Sequence, residues 1–128
     1  MVIKVNTIIE IIGKPKDHVE ATMEKVIGLI EKNEKFKYIS NNLRKAEEVK
    51  ELWSTFSEFE IDFPGVTELT EFCFEFMPSS IEIIEPEKIT SKSLEIQNFL
   101  NDVLNKIHSY DMVLKKFLLQ EMHKNKKK

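Results

Sequence analysis

Apolar and polar residues alternate from Ile3 to Ile12, with Ile3, Val5, Thr7, Ile9 and Ile11 on one side and Lys4, Asn6 and Glu10 on the other. A period of two predicts an extended strand with one face buried. Gly13 breaks the alternation, and Pro15 suits the first position of a helix, where its missing N–H leaves nothing unpaired. Val19, Met23, Val26, Ile27 and Ile30 then recur at helical spacing, which predicts an amphipathic helix from about Pro15 to Lys32, with Asn33 as its stop. A second strand is expected from Phe36 to about Leu43. The polar run Arg44 to Glu51 reads as a mobile turn or a short helix. Alternation returns from Trp53 to Phe63, where Thr55, Ser57, Phe59 and Ile61 share one face and Phe56, Glu58, Glu60 and Asp62 share the other. After the Pro64-Gly65 turn, Val66, Leu69, Phe72, Cys73, Phe76 and Met77 form the stripe of a second helix that Pro78 ends. Ile81, Ile83 and Ile84 make a last strand closed by Pro86.

Strand, helix, strand, strand, helix, strand is the split βαβ order. Its simplest fold is an α+β, ferredoxin-like βαββαβ sandwich, a four-stranded antiparallel sheet with two helices on one face. This domain is expected over residues 1–90. From Ser91 to His123 the pattern changes again: Ile96, Leu100, Val103, Ile107, Tyr110, Leu114 and Phe117 recur at alternating steps of four and three. That is the a/d seam of a heptad helix, with Thr90 and Ser91 supplying hydroxyls suited to cap it. Residues 124–128 form a basic tail. Phe99, Leu104, Val113 and Leu118 widen the stripe, so one side can face a partner helix while the other meets the sheet.

Such a helix would be about 50 Å long, against roughly 30 Å for the diameter of a 90-residue domain. It must overhang, pair with another helix, or fold back as a hairpin near Ser109 to Asp111. The sheet also calls for cover. Ile8, Ile12, Phe56 and Ile84 take the register that points away from the two early helices, and apolar residues gathered on one sheet face are usually covered in soluble proteins.

Charge divides along the same line. Residues 1–90 hold 11 Lys/Arg against 18 Asp/Glu, a balance of −7, while residues 91–128 hold 8 against 4, a balance of +4. An acidic domain carrying a basic helix argues against the domain as a nucleic-acid surface, and Glu58, Glu60 and Asp62 around Phe56 would repel the phosphates of RNA. Nucleic acid is expected only through Lys124, Lys126, Lys127 and Lys128, if at all. One cysteine cannot close an internal disulfide, no apolar run approaches the roughly 20 residues of a membrane span, and the start lacks the pattern of a secretory signal, so a cytoplasmic setting is expected.

Candidate chemistry is sparse. Gly13-Lys14 lacks the glycine spacing and terminal Lys-Ser/Thr pair of a phosphate loop. His18, His108 and His123 have no i, i+4 partner with acidic help, as a metal site on a helix needs. Cys73 sits in the stripe of the second helix among Phe72, Phe74 and Phe76, which reads as core packing. The carboxylates Glu58, Glu60, Asp62, Glu82 and Glu85 can share a sheet face, as a solvated acidic surface or, less simply, as a hard-cation or acid/base site. No catalytic, metal or cofactor residue emerges, no cofactor is expected, and the reading leans away from an enzyme.

The runs Glu10-Ile-Ile-Gly-Lys-Pro-Lys-Asp-His-Val-Glu20 and Met77-Pro-Ser-Ser-Ile-Glu-Ile-Ile-Glu-Pro86 are similar to small uncharacterised archaeal proteins. The resemblance implies no activity and transfers no functional residue. The expected function is a noncatalytic protein–protein interaction or assembly module. Its interface would comprise Ile8, Phe56 and Ile84 on the sheet, with Ile96, Leu100, Val103, Ile107, Tyr110, Leu114 and Phe117 on the helix. A homodimer or a helical protein is the expected partner. The alternatives are a small-ligand regulatory domain or small enzyme using a cleft near Glu58, Glu60, Glu82 and Trp53, and a nucleic-acid accessory protein acting through the lysine tail.

Overall fold

A computed structural model describes residues 1–126, and the chain divides into two compact units, Met1–Thr90 and Ser91–Lys128. The first holds β1 (Ile3–Gly13), α1 (Lys16–Glu31), β2 (Lys37–Leu43), β3 (Glu47–Val49), β4 (Leu52–Phe63), α2 (Val66–Phe76) and β5 (Ser80–Glu85). The second is one continuous helix, α3 (Ser93–Lys126), with no hairpin at Ser109–Asp111.

The sheet runs β2-β4-β1-β5, and every adjacent pair is antiparallel. This is the ferredoxin-like α+β arrangement. β1 and β4 pair from Ile3 opposite Phe63 to Gly13 opposite Trp53, so odd positions meet odd positions and both strands turn the same residues toward the helices. Met23 and Ile30 of α1 and Leu69 and Phe72 of α2 pack on that face against Ile3, Val5, Ile9, Phe59, Ile61 and Phe63, and Val19 of α1 is buried as well. Phe36, Phe63 and Phe72 close a triangle with ring centroids 5.2 to 5.5 Å apart, within the range of favourable edge and tilted contacts. The buried hydroxyls are partnered: Thr7 donates to the Ser80 carbonyl, Thr55 to the Arg44 carbonyl, and Ser57 accepts from Asn41 Nδ2.

Three local details depart from the sequence reading. The run Arg44 to Glu51 is neither a loose turn nor a helix. Its Glu47–Val49 segment is a short strand that continues the β2 edge along β4, making the sheet five-stranded. The hairpin turns at Lys50 and Glu51, both left-handed at φ 49° and 71°, the pattern of a type I′ turn usually written Asn-Gly. Pro15 stands just before α1 as its cap, in an extended conformation, rather than as its first helical residue. At α3 the Ser91 hydroxyl does not cap the helix; the Glu95 carboxylate instead accepts from the Lys92 backbone N–H at 3.3 Å, one half of a capping box.

Candidate interaction surfaces

Helix α3 contains neither glycine nor proline across its 34 residues, so nothing interrupts the backbone ladder. The Lys115 ammonium meets the Asp111 carboxylate at 2.9 Å one turn earlier, and that hydrogen bond and charge hold the lysine above its ordinary pKa. The expected seam is open: Ile96, Leu100, Ile107, Tyr110, Leu114 and Phe117 are 42 to 56% exposed, and Val103 is half-buried. Leu104, Val113 and Leu118 beside them are also exposed, while Phe99 is half-buried. The helix thus carries a broad apolar stripe along most of its length.

The outer sheet face, away from α1 and α2, is mixed in character. Ile8 lies opposite Glu58, Phe56 opposite Glu10, and Ile12 opposite Ser54. These side chains run diagonally across β1 and β4, at a separation that large side chains can bridge. Ile8 and Phe56 are half-buried, and Ile12 is 56% exposed. Ile84, 44% exposed, falls elsewhere: the register shift beside Lys4 and Val5 leaves it unmatched at the far end of β5, beyond Glu82 and Asn6. The structure therefore joins Ile8, Phe56 and Ile12 and sets Ile84 apart. Between them lie rows carrying Glu58, then Glu60 and Glu82, followed by a row in which Lys37, Asp62, Lys4 and Glu85 alternate in sign. Like charges in adjacent rows keep the middle of the face hydrated, while the last row offsets its own charge.

Among the described residues, no group of three His, Cys, Asp or Glu side chains is placed to hold a metal ion. The depression touching Glu58 and Glu82 measures about 110 Å³, below the roughly 300 Å³ at which ligand pockets begin. Trp53 is not near it; its ring lies beneath the Lys16 ammonium, 5.1 Å from the centroid. Two wider clefts occur elsewhere. One, about 400 Å³, runs beneath the β3 arm between Glu10, Arg44, Glu47 and Phe56. The other, about 410 Å³, lies at Phe36, Lys37, Asp62 and Pro64. Sequence reading missed both: the first depends on how the β3 arm lies along the start of β4, and the second forms at the other end of β4, where residues 34–37 meet Asp62 and Pro64. Burial pushes the Cys73 thiol up, which suits a packing residue rather than a nucleophile. Lys124, on the last turn, reaches toward Glu121 at 3.9 Å; Lys127 and Lys128 lie outside the described residues.

The profile of the MJ0538 family, an uncharacterised family named after an archaeal protein, matches residues 4–127. The chain belongs to the MJ0538 family. The match spans the sheet domain and α3 together, so the long helix is part of what defines an MJ0538 family member rather than an appendage to it. No curated protein and no solved structure matches the chain. Among the described residues of this MJ0538 family chain, no helix is long and apolar enough to cross a membrane.

Proposed function

We propose that this chain is a noncatalytic assembly module that self-associates through the apolar stripe of α3, with Ile8, Phe56 and Ile12 on the sheet as a secondary contact. The observation that carries the reading is the seam itself, open from Ile96 to Phe117 on an unbroken helix. Fully burying one large aliphatic side chain is worth about 1.5–3 kcal/mol. Half-exposed positions recurring over three heptads can therefore return several kcal/mol per helix, enough to work against an association cost of about 4–15 kcal/mol. Helices in proteins also gain most of their stability from packing an amphipathic face. A homodimer in the cytoplasm is the state we favour, since the chain's lone cysteine is half-buried and asks for no oxidising compartment. Nucleic acid is a poorer partner, because the rows with Glu58, Glu60 and Glu82 repel phosphate.

Light scattering on the full chain and on residues 1–90, which contain the whole buried core, tests the reading. The expected result is a multimer for the full chain and a folded monomer for the shorter one. A full chain that stays monomeric, with the shorter form equally soluble and well folded, would sink it.

A further inference from the structure

We propose that α3 pairs with α3 of a second copy of this chain in parallel and in register. The proposal rests on the self-association above and adds direction and alignment to it. With Leu100, Ile107 and Leu114 at a and Ile96, Val103, Tyr110 and Phe117 at d, the flanking e positions are Gln97, Leu104, Asp111 and Leu118. The g positions are Phe99, Lys106, Val113 and Gln120. In a parallel pair each g residue meets the e residue of the next heptad on the second copy, and these flanking pairs set partner and orientation.

That rule sets Phe99 against Leu104, Lys106 against Asp111, and Val113 against Leu118. Apolar meets apolar, and the lone charged residue of each flank meets its opposite. Asp111 already accepts from Lys115 of its own helix, and an ionised carboxylate has lone pairs left for a second donor.

Antiparallel pairing brings e to e and g to g instead. In the alignment that overlaps the full seam, with Ile107 layered on Tyr110, Leu104 falls on Asp111, Lys106 on Val113, and Phe99 on Gln120. Each contact sets an apolar side chain beside a charged or polar one. Sliding one helix by a heptad restores apolar contacts, but it brings Lys106 onto Lys106 or Asp111 onto Asp111 and leaves Phe117 or Leu100 without an apolar layer. Like charges in contact are disfavoured. Leu at a beside Ile and Val at d also suits parallel bundles of more than two helices; neighbouring helices there keep the same g-to-e contacts.

A charge-swap cycle in the full chain tests the direction. Lys106→Glu and Asp111→Lys are each expected to weaken self-association about two- to thirtyfold, from two exposed pairs per dimer, and the double variant to recover most of the loss. The two positions are five residues apart on their own helix, so no direct contact within one chain produces that recovery. A second measurement uses Leu100→Cys in a Cys73→Ala background under mild oxidation with diamide. Parallel alignment places residue 100 on residue 100, so a self-cross-linked dimer is expected. A chain that assembles but shows neither recovery nor the cross-link overturns the parallel arrangement and leaves self-association standing. A mass of 15.1 kDa at every concentration overturns both.

Discussion

Replacing Leu114 by alanine isolates the energetic role of the seam. Alanine is the best helix former, so α3 keeps its backbone while the seam loses a large side chain. Leu114 is 55% exposed; pairing covers that open half, worth about 1 kcal/mol per chain from the transfer energy of a leucine side chain. Both copies carry the change, so the pair loses about 2 kcal/mol and its Kd rises about thirtyfold. The control is Leu119→Ala. Leu119 is 65% exposed, more than Leu114, yet it occupies the heptad position opposite the seam. Sedimentation over a concentration series measures both constants. A thirtyfold loss for Leu114→Ala with little change for Leu119→Ala is expected. Equal losses for the two, or none for either, would refute the claim that the face rather than mere exposure directs assembly.

Other outcomes follow from the domain. Phe72→Ala removes the ring that touches Phe36, Phe63 and Phe76, and should cost about 3–5 kcal/mol in denaturant unfolding of residues 1–90; a loss under about 1 kcal/mol contradicts the described core. Glu51→Gly relieves a left-handed non-glycine residue in the β3–β4 turn and should stabilise the domain by roughly 0.5–1 kcal/mol, read as a rise in Tm; a fall in Tm places the turn elsewhere. The raised Cys73 thiol predicts alkylation by iodoacetamide near pH 8 much slower than in the unfolded chain. Because that pKa lies higher in the folded state, its contribution is fully present below the unfolded thiol pKa of about 8.5 and is lost as pH rises through the folded value. Cys73→Ala should lack that decline, and an equally steep decline in the variant would assign it to another group.

The sheet was legible in the sequence because β1 and β4 are long, alternate cleanly and bury one face, so period and register carry the same information. α1 and α2 were legible from their stripes, with Pro15 and Asn33 marking the limits of the first and Pro64-Gly65 and Pro78 those of the second. β3 was not, because its residues are all exposed and its turn uses Lys50-Glu51, which carries no hairpin signal. The cleft at Glu10, Arg44, Glu47 and Phe56 was hidden for the same reason, since it forms where that strand lies along β4. Placement of Ile84 depended on a register shift that alternation alone does not reveal. The α3 seam was readable residue by residue, because heptad spacing maps directly onto one side of a helix. What covers the seam in the proposed assembly is a property of two molecules, and the physical clue to it lies in the flanks, at Lys106 and Asp111.

The most direct measurement of the central claim is the mass of the full chain by sedimentation equilibrium at micromolar concentration, beside the same chain carrying Ile107→Glu and Leu114→Glu. The account predicts a multiple of 15.1 kDa for the unaltered chain and 15.1 kDa for the variant, with the sheet domain folded in both. An unaltered chain that sediments at 15.1 kDa throughout, or a variant that assembles as well as it does, would contradict it.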